Sequence, residues 1–371
     1  MRIGAATLTG GRGSRATGVV AGFVLKLSRQ AAGLTQEKFA ELLGVDPTTV
    51  QGWESGRRPL AAIGAGELLK LGARLSRAGA PASTGRHLGE AIEADLVLAT
   101  GITAGDSWVD PDHHPLAAAV HRRTLTNLIT WPFTGSTPPQ LGEFIPKVPR
   151  RGPVTTRPLL HVDERTRFLD HLVHVTERAG YASEPLLRRQ AVYLLGFDRR
   201  AHVVDWLRDE WHRVGRRTIP GDDVTGLLEA RSASVALAAT GEGEHIHDFV
   251  SRMSDRDEVA NLNYWAYWIG ELGDVRTDDS FMRDVDTRSW SGSVLLAHLS
   301  NRLDPTTPHL PLNLHTLHAL VASRPELLDG RPRLRASLTE SLDRLASGDS
   351  LTRTGRDQVA GLRYALRIFG R

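Results

Sequence analysis

The sequence predicts an all-α protein, with an N-terminal helix-turn-helix domain followed by a large helical domain that is either solenoid-like or a bundle. Three observations carry this. Apolar residues recur at helical spacing along most of the 371 residues. From His87 onward no stretch alternates apolar and polar residues as a half-buried strand does. The segments between helical runs are short and place Gly, Pro, Asp or Ser where helices start and stop.

Length and composition set the frame. A chain of 371 residues exceeds one ordinary core, so two or three domains are expected. The formal charge is only +3, yet residues 1–80 hold 11 Lys/Arg against 5 Asp/Glu, leaving −3 for the rest. A basic N-terminal end is what contact with phosphate requires. With no cysteine, disulfides, thiolate zinc sites and cysteine nucleophiles are excluded, and a cytoplasmic location is expected. No apolar run approaches the ~20 residues that cross a bilayer, so no membrane partner is expected.

Residues 1–18 read as a flexible basic arm, interrupted by glycine throughout. Val20, Val24 and Leu27 then fall at i, i+4, i+7 and predict a first helix, with Lys26 and Arg29 turned outward. Thr35 can cap a second helix, in which Phe39, Leu42 and Leu43 share a face and which Gly44 can end in a left-handed turn. Val45 plugs the turn. A third helix opens at Asp46, a capping carboxylate, with Pro47 at the first helical position, where a missing N–H costs nothing. Val50 and Trp53 face inward, which leaves Thr48, Thr49, Gln51 and Gly52 facing out. Two short helices joined by a tight glycine turn make a helix-turn-helix, whose second helix enters the major groove. After Pro59, the residues Ile63, Leu68, Leu71 and Leu75 mark a helix that closes the small core.

The stretch from LTQEKFAELLGV through TVQGWESGRRP resembles the lambda-repressor-like, or XRE, helix-turn-helix family, over roughly residues 20–76. The resemblance implies a DNA-binding domain that commonly dimerises on two-fold symmetric operators. It places Gln36 against a phosphate or an adjacent base, and Pro47, Thr48, Gln51 and Gly52 at the recognition surface. Gln51 can grip adenine N6 and N7, and a threonine methyl can touch thymine. Pro47 stands where many members carry a polar side chain. Arg57 and Arg58 should meet the DNA backbone, positioning the domain without reading sequence. Trp53 and Glu54 look structural in the family, the indole filling the core and the carboxylate pairing with a basic group.

The domain so delimited spans 19–77, a small-residue linker spans 78–86, and a helical regulatory and dimerisation domain spans 87–371. Helices are predicted at 88–98 and 116–131, then at 163–179, 184–197, 202–214, 222–239, 246–253, 257–272, 292–303, 313–323, 334–345 and 356–369. Between the first two and the rest lies a proline-rich connector, 132–158, with Lys147, Arg150 and Arg151. Such helices could form a tetratricopeptide-like array, though no strict 34-residue repeat is visible.

The densest aromatic patch is NLNYWAYWIGE, where Tyr264, Trp265, Tyr267 and Trp268 either pack a core or wall an effector pocket. Trp206, Glu210 and Trp211 read as packing against a neighbouring helix. His113, His114, His171, His174, His245 and His247 are scattered without a complete ligand set, so no metal and no cofactor is assigned. Neither a nucleophile elbow nor a phosphate-binding loop is present, and no enzyme is expected. The function that follows is a transcriptional regulator that binds double-stranded DNA as a homodimer and senses a small molecule or peptide. The alternative is a DNA-binding adaptor whose helical part is a protein-interaction scaffold.

Overall fold

The computed structural model describes residues 18–105, 107, 109–110, 114–145, 157–178, 184–216, 224–273, 278–348 and 351–369. The arm at 1–17, His113, and the connector residues Lys147, Arg150 and Arg151 lie outside the described residues. Seventeen α-helices, and no strand, are found among the described residues. They fall into two compact units, Met1–Gly180 and Tyr181–Arg371.

The first unit contains α1 (Val19–Ala31), α2 (Gln36–Leu43), α3 (Pro47–Glu54), α4 (Ala65–Arg77), α5 (Thr84–Ala104), α6 (Arg123–Thr134) and α7 (Val162–Arg178). Its long axis is α5, against which α1, α4, α6 and α7 all pack. The boundary expected at 78–86 lies inside this unit. That stretch is a tight turn followed by the start of α5, with the Thr84 hydroxyl donating to Pro81 O at 2.6 Å. Helices α4 and α5 approach so closely that a Cβ on Gly72 would sit 3.0 Å from Gly85 Cα. The first helices share their core with the later ones: Phe23 of α1 meets the fully buried Trp131 of α6 edge to face, with ring centroids 5.1 Å apart.

Asp95 of α5 ties the same elements together. Its two carboxyl oxygens accept from the Val20 and Ala21 N–H groups, each at 2.9 Å, and so satisfy two of the orphan donors at the start of α1. Burial pushes this carboxyl up to about 7, against those two bonds, which favour the charged form.

The predicted helix at 116–131 is instead a 3-10 turn, Ala117–Ala119, followed by α6. Arg122 breaks the helix with φ −121° and ψ 82°, and the Thr126 hydroxyl closes the corner by donating to Ala119 O at 2.8 Å. Pro132 lies within α6 rather than opening a connector; it forgoes one bond near the end of a helix that Gly135 terminates at φ +71°. The 3-10 segment Pro139–Phe144 then packs on α1, with Leu141 and Phe144 buried.

The second unit contains α8 (Pro185–Leu195), α9 (Ala201–Arg216), α10 (Val224–Thr240), α11 (Glu244–Ser251), α12 (Asp255–Ile269), the short α13 (Phe281–Asp284), α14 (Ser293–Ser300), α15 (Leu310–Ser323), α16 (Pro332–Ser347) and α17 (Arg353–Ile368). Two helices are central: α10 packs on α8, α9 and α11, and α15 packs on α11, α12, α14 and α17. Helices α8, α10, α12, α14 and α16 pack one on the next in chain order, and α11, α15 and α17 do the same. Leu295, Leu299, Leu317, Leu320, Leu338 and Leu342 form the core at its C-terminal end. Asn263 of α12 is fully buried and fully satisfied there: its amide donates to Met282 O and Val285 O at 2.9 and 2.7 Å, and its oxygen accepts from Trp290 Nε1 at 2.9 Å. Trp211 is buried, and Glu210 forms an ion pair with Arg188 at 2.6 Å in which both side chains are 2% exposed.

Candidate nucleic-acid interface

Three local signals build the helix pair. Thr35 Oγ1 accepts from Lys38 N at 3.2 Å to cap α2. Gly44 ends that helix at φ +71°, a backbone conformation that side chains resist. Asp46 caps α3: its Oδ1 accepts from the Thr48 N–H at 2.7 Å and from the Thr48 hydroxyl at 2.6 Å. Those bonds, led by the hydroxyl, hold the Asp46 carboxyl below the usual carboxylate range.

From these caps the outward edge of α3 follows. Pro47, Thr48 and Gln51 are exposed and Thr49 is half-buried. The Gln51 carboxamide makes no hydrogen bond among the described residues, so both its donor and its acceptor face solvent. The Thr48 hydroxyl is already committed to Asp46, which leaves its methyl group as the free end. Gly52, expected to face out, is buried beneath Arg58. The Arg58 guanidinium donates to Thr49 Oγ1 at 2.8 Å, and its stem passes so close that a Cβ on Gly52 would meet Cδ at 3.0 Å. Arg57 is exposed and forms no ion pair among the described residues.

Behind this edge the packing differs from expectation at four residues, Arg29, Gln36, Leu42 and Trp53. Arg29, expected outward, is buried: Nε and Nη2 donate to the two Glu54 oxygens at 2.5 and 3.0 Å, and Nη1 donates to Leu34 O at 2.6 Å. Gln36 completes the cluster, its amide donating to Glu54 Oε2 at 2.7 Å. Gln36 is therefore engaged inside the domain at the seam of α1, α2 and α3, while Pro47, Thr48 and Gln51 share the free edge. Trp53 is half-buried, and the core is closed by Val20, Val24, Phe39, Val50, Leu60, Leu71 and Leu75. Leu42, expected inward, is 43% exposed. Helix α3 crosses α1 over Gly22, where a Cβ would lie 2.2 Å from Trp53 O, so only glycine permits the approach. This requirement was not drawn from the sequence, although a glycine inside a helical run is the kind of signal that marks close helix contact.

A short helix capped by Asp46 and Pro47, laid across its partner with one polar edge free, is the geometry of a groove-reading helix. Residues 25–63 match the family model of the helix-turn-helix HTH_3. These residues form an XRE-family helix-turn-helix. No curated protein and no solved structure matches the chain. The match covers the exposed edge, both arginines and the Glu54 cluster, and it supports a DNA-binding transcription regulator. No helix among the described residues is long and apolar enough to cross a membrane.

The remaining singled-out residues lie elsewhere. His114 and His171 are buried together with Nε2 atoms 2.9 Å apart. The Leu116 N–H donates to His114 Nδ1 at 3.2 Å, and His171 Nδ1 lies 3.0 Å from Gly105 O. That network fixes both rings as neutral: His114 donates through Nε2 to His171, and His171 donates through Nδ1 to the carbonyl. Burial and the neighbouring ring push His114 down to about 4. Among the described residues no group of three or more His, Cys, Asp or Glu could hold a metal ion. On α12, Tyr267 is buried against Phe281, with ring centroids 5.2 Å apart, while Tyr264, Trp265 and Trp268 are half-buried.

Proposed function

We propose that the protein is a one-component transcription regulator that reads a two-fold symmetric operator as a homodimer and responds to a small molecule or short peptide held by its helical remainder. The observation that carries the DNA half is the free edge of α3, where an unengaged Gln51 carboxamide stands beside exposed Pro47 and Thr48. In this reading Gln51 contacts adenine through two hydrogen bonds, the methyl groups of Thr48 and Thr49 meet thymine, and Gly52 lets Arg58 lie flat against the helix. Arg57 and Arg58 meet phosphates, while Gln36, its amide donating to Glu54, braces the start of α2 from within. Dimerisation follows from surface: one short helix covers little DNA, and two half-sites about 34 Å apart multiply the affinity.

The effector half rests on α12, where Tyr264 and Trp265 stand half-buried with polar tips. Tyr267 and Trp268, in ring contact at 6.1 Å, form the wall behind them.

Capture of genomic fragments by the purified full-length chain at about 150 mM salt tests this. The expected result is enrichment of fragments carrying an inverted repeat with half-sites one helical turn apart, bound by two chains. Fragments recovered in proportion to bulk DNA would overturn the operator reading, and one chain per site would overturn the dimer.

A further inference from the structure

A pocket of about 740 Å³ lies in the second unit where α11, α15 and α17 meet, a size suited to a small molecule. Helix α15 packs on both of the others. Glu244, His247, Asp248 and Ser251 fall at i, i+3, i+4, i+7, so they share the face of α11 that lines the pocket. The first turns of α15 contribute Leu310, Pro311 and Leu314, and the start of α17 contributes Leu351, Thr354 and Gln358. Val250, Leu310, Leu314 and Leu351 are buried and make the interior apolar. Glu244, Ser251, Pro308 and Thr354 are exposed, so the pocket opens to solvent along their edge.

The polar groups of the lining are mostly acceptors. Gln358 is 9% exposed, and its amide is committed to His315, with Nε2 3.0 Å from Nδ1. His315 turns its other nitrogen to Glu258 Oε1 at 3.5 Å, so Nε2 of the ring carries the proton and Gln358 is the donor in the first bond. Gln358 Oε1 accepts nothing among the described residues and is the end left to a ligand. Both oxygens of Asp248 are taken by Arg252, at 3.0 and 2.5 Å. The Glu244 carboxylate makes no hydrogen bond among the described residues, with His245 Nε2 3.9 Å from its Oε1. His247 also makes none, and burial holds its pKa below the usual histidine value, so at neutral pH the ring brings no positive charge.

The sign of the charge that fits follows from what else lines the pocket. The described lining includes neither Lys nor Arg. Helix starts favour anions, yet each one here is already answered. Pro311 has no N–H, the Gly355 N–H donates to Thr352 Oγ1 at 3.2 Å, and Glu244 itself stands in the first turn of α11. A free carboxylate at the mouth and a free carbonyl oxygen deeper in are complemented by a cation that also donates hydrogen bonds.

We propose that this pocket binds an organic amine in its ammonium form, the apolar interior taking the carbon body, Glu244 the charge and Gln358 Oε1 a donated hydrogen bond. None of the α12 rings lines the pocket, so the site goes beyond the effector reading and neither depends on the other.

The test titrates the full-length chain calorimetrically, at about 50 mM salt, with two sets of probes that keep one body and change its charge. The first is tryptamine, tryptophol and indole-3-acetate; the second is 4-phenylbutylamine, 4-phenylbutanol and 4-phenylbutyrate. At least one amine is expected to bind about 3- to 5-fold more tightly than its alcohol, the range of an exposed ion pair, with the acid weakest. Glu244→Gln, at an exposed position, is expected to bring the amine to the level of the alcohol and leave the alcohol unchanged. Thr354→Trp, also exposed, fills the pocket from α17 and is expected to weaken amine and alcohol alike. If that variant does not fold, Ser251→Trp blocks the same space from α11. Amine and alcohol bound alike by the wild type, a preference that survives Glu244→Gln, or binding unchanged by the tryptophan would overturn the site. No amine bound at about 10 mM would overturn it too, at a concentration where even a millimolar site fills. Operator binding by the same preparation is read separately, so failure here is not failure of the DNA reading.

Discussion

At Glu54 three helices converge on one carboxylate. Its oxygens accept from Arg29 of α1 twice and from Gln36 of α2 once, and the side chains of the ion pair are 8% and 5% exposed. Removing one member leaves the other charged, buried and without its counter-ion, which costs far more than the pair itself contributes. Glu54→Ala is therefore expected to destabilise the first unit by about 3–5 kcal/mol in urea unfolding. A loss below about 1 kcal/mol would show that the pair is solvated in solution. The sequence revealed half of this: it indicated that Glu54 would find a basic partner, but it turned Arg29 to solvent. The helical spacing of Val20, Val24 and Leu27 places Arg29 off the apolar stripe, and nothing local announces a partner 25 residues away. Asp95 escaped notice for the same reason, since its donors are backbone groups 74 and 75 residues distant. Its raised pKa gives a signed prediction. The folded state keeps the proton up to about 7 while the unfolded chain releases it near 3.8, so this group's contribution is full at low pH and is lost as pH rises from 3.8 to 7. Relative to Asp95→Asn, wild-type stability should fall across that window in thermal melts; a pH-independent difference would contradict it.

Helix α3 shows why an element can be legible while its surface is not. Thr35, Gly44, Asp46 and Pro47 act through bonds to residues at most four positions away, so cap and turn chemistry specified both ends of the helix pair. Gly52 depended on where Arg58 lay down, which is set by the chain leaving the helix, with Arg58 N–H donating to Gly52 O at 2.9 Å. Two substitutions separate positioning from reading. Gly52→Ala should displace the Arg58 stem from Thr49 and weaken operator binding, with wild-type thermal stability retained. Unchanged affinity would take Arg58 off the interface. Arg57→Ala should weaken specific and non-specific binding together and shrink the log–log salt slope by about 1. An unaltered slope would place Arg57 away from phosphate. Elsewhere, α8 to α12 and α14 to α17 lie close to the stretches that the sequence marked as helical, although α10 and α15 are buried nearly all round. The segment at 116–131 misled because its apolar residues continue through a corner that a threonine hydroxyl closes from the side.

Across the whole molecule, buried histidine sets the response to acid. Burial pushes His298 and His315 down to about 4 and lowers His309 and His318 in the second unit, as it does His114 and His171 in the first. The unfolded chain takes up these protons near 6.5 while the folded rings resist, so the unfolded state binds more protons in between. Stability should therefore be lost as pH falls from 6.5 toward 4. Asp95 and Glu258, both raised by burial, oppose this with fewer groups. Denaturant midpoints that stay level from pH 6.5 to 4.5 would contradict the prediction. All-helical class and an N-terminal DNA-binding element were readable because both rest on short-range pattern. The packing of the first helices onto α5 was not, because it depends on which helices meet. DNA reading by this chain stands or falls with the free edge of α3. Selection of bound duplexes from a random library by the wild-type chain and by Gln51→Ala puts that edge to the test. One enriched motif is expected, whose preference for adenine at a single position is relaxed in the variant, at a cost of about 1–3 kcal/mol. Identical motifs from both proteins, or no motif from either, would contradict it.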